Sequence, residues 1–239
     1  MTAACLRLKF YGLALAAGLA ASPLAAAGLA APTRLSAVVL SPTEVRISWR
    51  DHAADETEYR VEVRTVDGDF ADVGSVPADS TIVAVAGLTP ATGYVFRVRA
   101  SRTGSFSAYS NEARAATDDV PGPCVTDAWT LCLKGGRFRV RARWQAPGGG
   151  ASTGRVMPVA AGDSGLFWFF TPDNLELLVK VLDGCAQNGR YWIFTGPATT
   201  LQHLLTVTDT RTGRARIYFT PQGAPPLAVT DGNAFASCP

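Results

Sequence analysis

Histidine is nearly absent from this chain of 239 residues, with only His52 and His203, one in each half. Imidazole is the side chain that titrates near neutral pH and is a leading metal ligand, so two isolated copies leave little room for zinc or acid–base chemistry. Net charge is small as well. The 22 Lys/Arg and 20 Asp/Glu residues sum to +2, which provides no basic field for nucleic acid. Lysine itself is scarce, and nearly all the positive charge is arginine. No apolar run reaches the ~20 residues that a membrane span needs. Cysteine is missing between Cys5 and Cys124, so the first half has no disulfide framework.

The longest apolar run, Phe10 to Ala21, follows Arg7 and Lys9 and precedes Ser22-Pro23 and Ala25-Ala26-Ala27. A short basic start, an apolar stretch and small residues at Ala-x-Ala spell a secretory signal peptide, residues 1–27. Cleavage is expected after Ala27, with Ala30 as the alternative. The expected mature chain has no membrane span and is secreted, either extracellular or periplasmic. The bases there number 20 against 20 acids. Residues 28–118 hold 9 bases and 12 acids, and residues 119–239 hold 11 and 8.

Four cysteines remain: Cys124, Cys132, Cys185 and Cys238. An even number in an exported chain reads as disulfides, and zinc would need close-set pairs with histidines nearby. The expected pairing is Cys124–Cys132 with Cys185–Cys238. The first pair is eight positions apart at a domain entrance, and the second ties the last residues to the Asp183-Gly184 turn. No metal and no cofactor is expected.

The segment Gly87 to Ala100, GLTPATGYVFRVRA, organises the first half. Leu88, Pro90 and Gly93 mark a corner. Beyond it Tyr94, Phe96, Val98 and Ala100 alternate with Val95, Arg97 and Arg99, the period of a strand. A tyrosine that opens such a strand can set its hydroxyl on the preceding backbone. Leu35 to Leu40, Glu44 to Trp49, Tyr59 to Val63, Thr81 to Ala86 and Tyr109 to Ala113 read as further strands, and Asp67-Gly68-Asp69 as a hairpin turn. With strands every ten to fifteen residues and no helix between them, the pattern is a sandwich of two antiparallel sheets. This stretch, residues 32–117, resembles a fibronectin type III domain, of the immunoglobulin-like class. The resemblance implies structural roles for Trp49, Leu88 and Tyr94, with Trp49 in the core. The adhesive members of that family carry Arg-Gly-Asp in the loop before the last strand. Ser101-Arg102-Thr103-Gly104-Ser105 stands here instead.

Residues 118–123, DDVPGP, form a Pro/Gly linker, and residues 124–239 form a second, disulfide-containing β-sandwich. Arg137 to Trp144 alternates arginine with Phe138, Val140, Ala142 and Trp144. Leu166 to Phe170 reads as an apolar strand buried on both faces or nearly so. Leu175 to Leu182 fits either a helix or a strand, and its valines favour strand. Tyr191 to Thr195 follows, and Leu204 to Asp209 pairs with Arg214 to Phe219 across a turn at Gly213. The fold class is therefore all-β, two β-sandwich modules.

Several groups are candidate sites. Asp51, His52, Asp55 and Glu56 share a loop, which reads as solvated. Gly162-Asp163-Ser164-Gly165 resembles the nucleophile motif of chymotrypsin-like proteases, but Leu166 stands where the pattern wants glycine and no histidine precedes Ser164 in its domain. Arg137, Arg139, Arg141 and Arg143, extended by Arg214 and Arg216, offer a row to a polyanion. Trp168 and Trp192, opposite in parity to Phe167, Phe169 and Ile193, are candidate ligand contacts of a sugar-binding platform. The expectation is a secreted, non-catalytic binding, adhesion or structural protein, on a bacterial surface. Its partner is a polysaccharide or another surface protein, with no role for nucleic acid. The alternatives are a carbohydrate-binding accessory module and a hydrolase.

Overall fold

The computed structural model describes residues 7–9, 28–157 and 162–239. The chain divides between Thr117 and Asp118 into two compact units, each with its own core. Most of the expected signal peptide lies outside the described residues.

In the first unit the strands are β1 (Arg7–Lys9), β2 (Thr33–Ser41), β3 (Glu44–Arg50), β4 (Glu58–Thr65), β5 (Ala71–Pro77), β6 (Ile82–Ala86), β7 (Gly93–Arg102), β8 (Ser105–Phe106) and β9 (Ala113–Ala116). One sheet runs β1-β6-β3-β2, and the other runs β5-β4-β7 with β8 and β9 both on β7. Every pairing is antiparallel, so side chains alternate between core and surface. Val45, Ile47 and Trp49 of β3 meet Tyr59 and Val61 of β4 and Phe96 and Val98 of β7 in one core. Burial of each such side chain contributes about 1.5–3 kcal/mol. Leu88, almost fully buried, closes the corner before β7. The Tyr94 hydroxyl accepts the N–H of Thr89 at 2.9 Å.

The last strand is shifted from its expected place at Tyr109 to Ala113, beginning only at Ala113. The serines of the preceding segment explain the shift. Ser107 Oγ and Ser110 Oγ accept the N–H groups of Ala100 and Val98. Side-chain oxygens thus take ladder positions and keep this stretch from regular pairing. Asn111 then brackets Leu35, accepting its N–H and donating to its carbonyl, both at 2.9 Å.

In the second unit the strands are β10 (Leu131–Leu133), β11 (Phe138–Gln145), β12 (Ala151–Thr153), β13 (Arg155–Met157), β14 (Ser164–Trp168), β15 (Leu175–Gly184), β16 (Arg190–Pro197), β17 (Gln202–Asp209), β18 (Ala215–Thr220) and β19 (Val229–Phe235). One turn of helix, α1 (Cys185–Asn188), separates β15 from β16. The first sheet is β10-β11-β17-β18 with β12 on β11, and the second is β13-β14-β15-β16-β19. Their facing sides share one core. Phe138 stands 4.9 Å from Tyr191 and 5.2 Å from Phe235, centroid to centroid.

Residues 175–182 are strand: Leu177, Val179 and Val181 are buried while Leu178 and Lys180 are exposed. The run at 166–170 is not buried on both faces. Its strand ends at Trp168, Phe167 and Phe169 are buried, and Phe170 is 53% exposed. The sheet has core on one side only, so the outward Leu166 and Trp168 are just half-buried, while Phe170, past the strand, lies edge-on to Trp144 at 4.7 Å. Disulfides join Cys124 to Cys132 and Cys185 to Cys238, with Cα atoms 5.8 and 5.7 Å apart. The expected linker is bonded into the second unit. Asp119 N–H donates to the Gly213 carbonyl at 2.5 Å and Gly122 N–H to that of Thr210 at 3.0 Å. Gly213, at φ +75°, has no room for a Cβ beneath this segment.

Candidate binding surface of the second domain

Antiparallel sheets with one solvated side normally turn polar residues outward. The outer side of β13-β14-β15-β16-β19 departs from this. Met157, Leu166, Leu178 and Gly196 are consecutive register partners from β13 to β16, so an apolar stripe crosses four strands. Leu178 at its centre is 42% exposed. On one flank of the stripe lie Trp168 and its partner Leu175. On the other lie Phe194 opposite Lys180, then Trp192 opposite Leu182. Trp168, Trp192 and Phe194 are all half-buried.

Both tryptophans are on this outer side, but they are two strands and seven residues apart, about 25 Å. They occupy opposite ends of the surface. Trp192 lies against Gly184, which has no space for a Cβ, and its Nε1 donates to Asn188 Oδ1 at 2.9 Å. Asn188 in turn donates to the Gly232 carbonyl. The ring is pinned.

At the other end a residue that the sequence did not single out joins the site. The carbonyl of Ala128 accepts the N–H of Val156 at 2.9 Å, which lays the segment before β10 along β13. Trp129, 46% exposed, thereby comes beside Arg155. The Arg155 guanidinium lies 5.9 Å from the Trp129 ring centroid and 5.3 Å from that of Trp168. Among the described residues no carboxylate pairs with it. The only signals in the sequence were a tryptophan close to Cys132 and an arginine shortly after the Gly148-Gly149-Gly150 loop.

The arginine row is arranged differently from the expectation. Arg139, Arg141 and Arg143 do face away from the core, on the other sheet. Arg137 is bidentate on Asp209 at 2.8 and 3.1 Å and donates to the Ser237 carbonyl at 2.6 Å. Asp209 is fully buried. Burial pushes its pKa up, but the hydrogen bonds from Arg137 and the Arg211 N–H and the guanidinium charge outweigh that and hold it below the usual carboxylate value. Arg139 donates to Asp119 Oδ2 at 2.7 Å, and Arg141 Nε to Thr130 Oγ1 at 3.2 Å. Arg137 and Arg139 therefore spend their charge inside the domain. Arg216 does not extend it. Its register partner Val207 faces the core, and its guanidinium lies over Phe235 at 5.7 Å.

Ser164 opens β14 opposite Lys180, and neighbouring Asp163 pairs with Lys134 at 3.0 Å. His203, buried on β17, has Nδ1 2.9 Å from the Leu201 carbonyl, and burial lowers its pKa. His52, in the other unit, has Nε2 2.8 Å from Thr33 Oγ1. The motif at 162–165 is thus a strand start, and among the described residues both histidines are engaged elsewhere.

The model of the fibronectin type III domain matches residues 30–115. Residues 30–115 form a fibronectin type III domain. Similar solved structures include domains A168–A170 of titin, 24% identical over 38% of this chain and 32% of that one, with a TM-score of 0.34. The sixth fibronectin type III domain of human fibronectin type III domain containing protein 3 is 24% identical over 43% of this chain and 98% of its own, with a TM-score of 0.36. The FN5 domain of Drosophila Lar is 20% identical over 37% and 96%, with a TM-score of 0.33. This chain spans about a third of the titin fragment. No curated protein matches it in sequence. A fibronectin type III domain implies a binding, adhesion or structural role.

Within the fibronectin type III domain, the acidic loop is split up. Asp55 pairs with Arg102, while Asp51 and Glu56 join Asp79, from the turn after β5, with one oxygen of each within 4.8 Å of the others. Tyr59 donates to Asp51, and Glu56 accepts the N–H of Asp79 at 3.0 Å. Burial, then the bond to Asp51, raises the Tyr59 pKa far above its ordinary value. The outer side of β4 and β7 carries a second polar cluster. Glu62, nearly buried, accepts from Arg97 at 2.6 and 2.9 Å and from the Tyr109 hydroxyl at 2.6 Å, with Arg99 at 3.3 Å. Arg97 lies over both Phe70 and Tyr109, at 3.8 and 3.7 Å, and Arg99 lies over Phe106 at 4.0 Å. Aromatic rings and guanidinium groups thus alternate across the sheet around one carboxylate, with Arg99 Nε left as a buried donor without a partner among the described residues.

Proposed function

We propose that this is an exported, non-catalytic binding protein, in which the fibronectin type III domain is the scaffold and the second domain holds a polysaccharide. One observation carries the reading. The outer side of β13-β14-β15-β16-β19 presents aromatic and aliphatic side chains, with Trp192 fixed in place, on a sheet that extended sugar chains fit. Sugar rings stack their C–H faces on such aromatic groups, and a pinned ring loses little entropy on binding. A contiguous exposed apolar surface is a mark of an interaction site. The two disulfides support export, since such bonds persist in oxidising compartments. Among the described residues no helix is long and apolar enough to cross a membrane.

The test is retention of the full chain on a panel of immobilised polysaccharides, neutral and acidic, compared with Leu178→Glu. A charge at the centre of the stripe is expected to reduce retention at least tenfold without moving the thermal transition. A chain that passes through every column at low salt would refute the reading.

A further inference from the structure

We infer that the Trp129–Arg155–Trp168 cluster is a subsite for a carboxylated sugar, so the polysaccharide held by the second domain is a polyuronate. This rests on the binding reading above and adds the ligand's chemistry. Two tryptophan rings supply the stacking surface that any pyranose needs. The guanidinium beside them supplies a planar fork of N–H donors matched to a carboxylate, which it binds bidentately. Arg155 is exposed and lies at 5.3 and 5.9 Å from the two ring centroids, so it is displayed next to the stacking surface.

Charge distribution separates this site from the arginine row. Arg137 and Arg139 already face Asp209 and Asp119. No carboxylate among the described residues pairs with Arg155. A sulfated chain with several charges per repeat would find one guanidinium here, whereas a uronate with one carboxylate per ring finds its match. One contact also fixes the salt response. Log K falls with log[salt] in proportion to the number of anionic groups neutralised, by roughly 0.7–0.9 per contact for nucleic acids. A single guanidinium therefore predicts loss of less than about tenfold for a tenfold rise in salt.

The experiment measures binding of the full chain to polygalacturonate, to its fully methyl-esterified form, to heparin and to poly-glutamate. Esterification keeps the sugar ring and removes the charge. The expected result is binding to polygalacturonate, at least tenfold weaker binding to the ester, and shallow salt dependence. Arg155→Ala should lower affinity for the acid form at least tenfold and leave that for the ester unchanged, and Arg155→Lys should recover part of the loss. Trp168→Ala should weaken both forms, with an unchanged thermal transition showing that the domain is folded. Equal affinity for acid and ester, or an Arg155→Ala variant indistinguishable from the parent, overturns the uronate assignment and leaves the polysaccharide reading standing. Tighter, steeply salt-dependent binding to heparin also overturns it. Binding to poly-glutamate alone, or to none of the four and to no neutral glycan, overturns both.

Discussion

Replacing Glu62 by glutamine probes how much the outer cluster of the fibronectin type III domain depends on one charge. The side chain keeps its size but becomes neutral, and its single carbonyl oxygen must serve the donors now shared by two carboxylate oxygens. Arg97 and Tyr109 both donate to Glu62, and Arg99 is within ion-pair distance. The Glu62 side chain is 9% exposed, and those of Arg97 and Arg99 are 26% and 24%. Hydrogen bonds to charged groups contribute about 1.5–3 kcal/mol each, and loss of one partner of a buried pair costs about 3–5 kcal/mol. The arginines keep partial contact with water and their aromatic neighbours, so the lower end applies, about 3 kcal/mol. The sign with pH follows from the carboxylate. Burial raises its pKa, but the bonds from Tyr109 and Arg97 and the charges of Arg97 and Arg99 outweigh that and hold it below its ordinary value. A depressed carboxylate stabilises the fold above its unfolded pKa, and that contribution is lost as pH falls through the folded value. Native-state hydrogen exchange of the slowest β4 and β7 amides reads the opening free energy in the full chain, with the second domain as internal control. Glu62→Gln should lower it by about 3 kcal/mol at pH 7, with the gap closing at acid pH. A change below about 0.5 kcal/mol, the scale of an ordinary surface substitution, would refute the reasoning. So would a gap independent of pH.

Tyr94→Phe removes the acceptor for the Thr89 N–H while keeping the ring, and should destabilise the fibronectin type III domain by about 1–2 kcal/mol; unchanged exchange in β7 would show that water replaces the hydroxyl. Glu176 lies buried on the Phe169 N–H and the Asn174 amide, and burial raises its pKa. A raised carboxylate pKa opposes folding as pH rises, so Glu176→Gln, with the exposed Asn174 amide free to turn over, should stabilise the second domain at pH 7 and have no effect near pH 3; the pH dependence of its thermal transition checks this. Replacing Cys185 and Cys238 together by serine opens a loop of 53 positions and should cost roughly 4 kcal/mol, with denaturant unfolding of the second domain as the measure. A larger effect from replacing Cys124 and Cys132 would contradict the chain-entropy argument, since that loop spans 8 positions.

Local chemistry determined much of this protein before any tertiary contact was considered. Alternation over Glu44–Trp49, Tyr94–Ala100 and Phe138–Trp144 set which residues face the core, because the period of a strand is two and burying arginine is costly. The corner before Tyr94 and the turn at Gly213 were legible because proline and glycine act on their own backbone. What remained hidden depends on residues far apart in sequence meeting in space. Whether a strand of the second domain is covered on one side or both depends on how many layers pack, and so the exposure of Leu178 and Phe170 could not be read from their run of apolar neighbours. Likewise the arginine row gave no hint that Asp209 and Asp119, 72 and 20 positions away, would neutralise Arg137 and Arg139. Arg155 became a candidate only because a backbone bond from Val156 to Ala128 draws Trp129 alongside it. Strand identity follows from one segment's own pattern, whereas a binding surface is made by strands that the sheet order brings together.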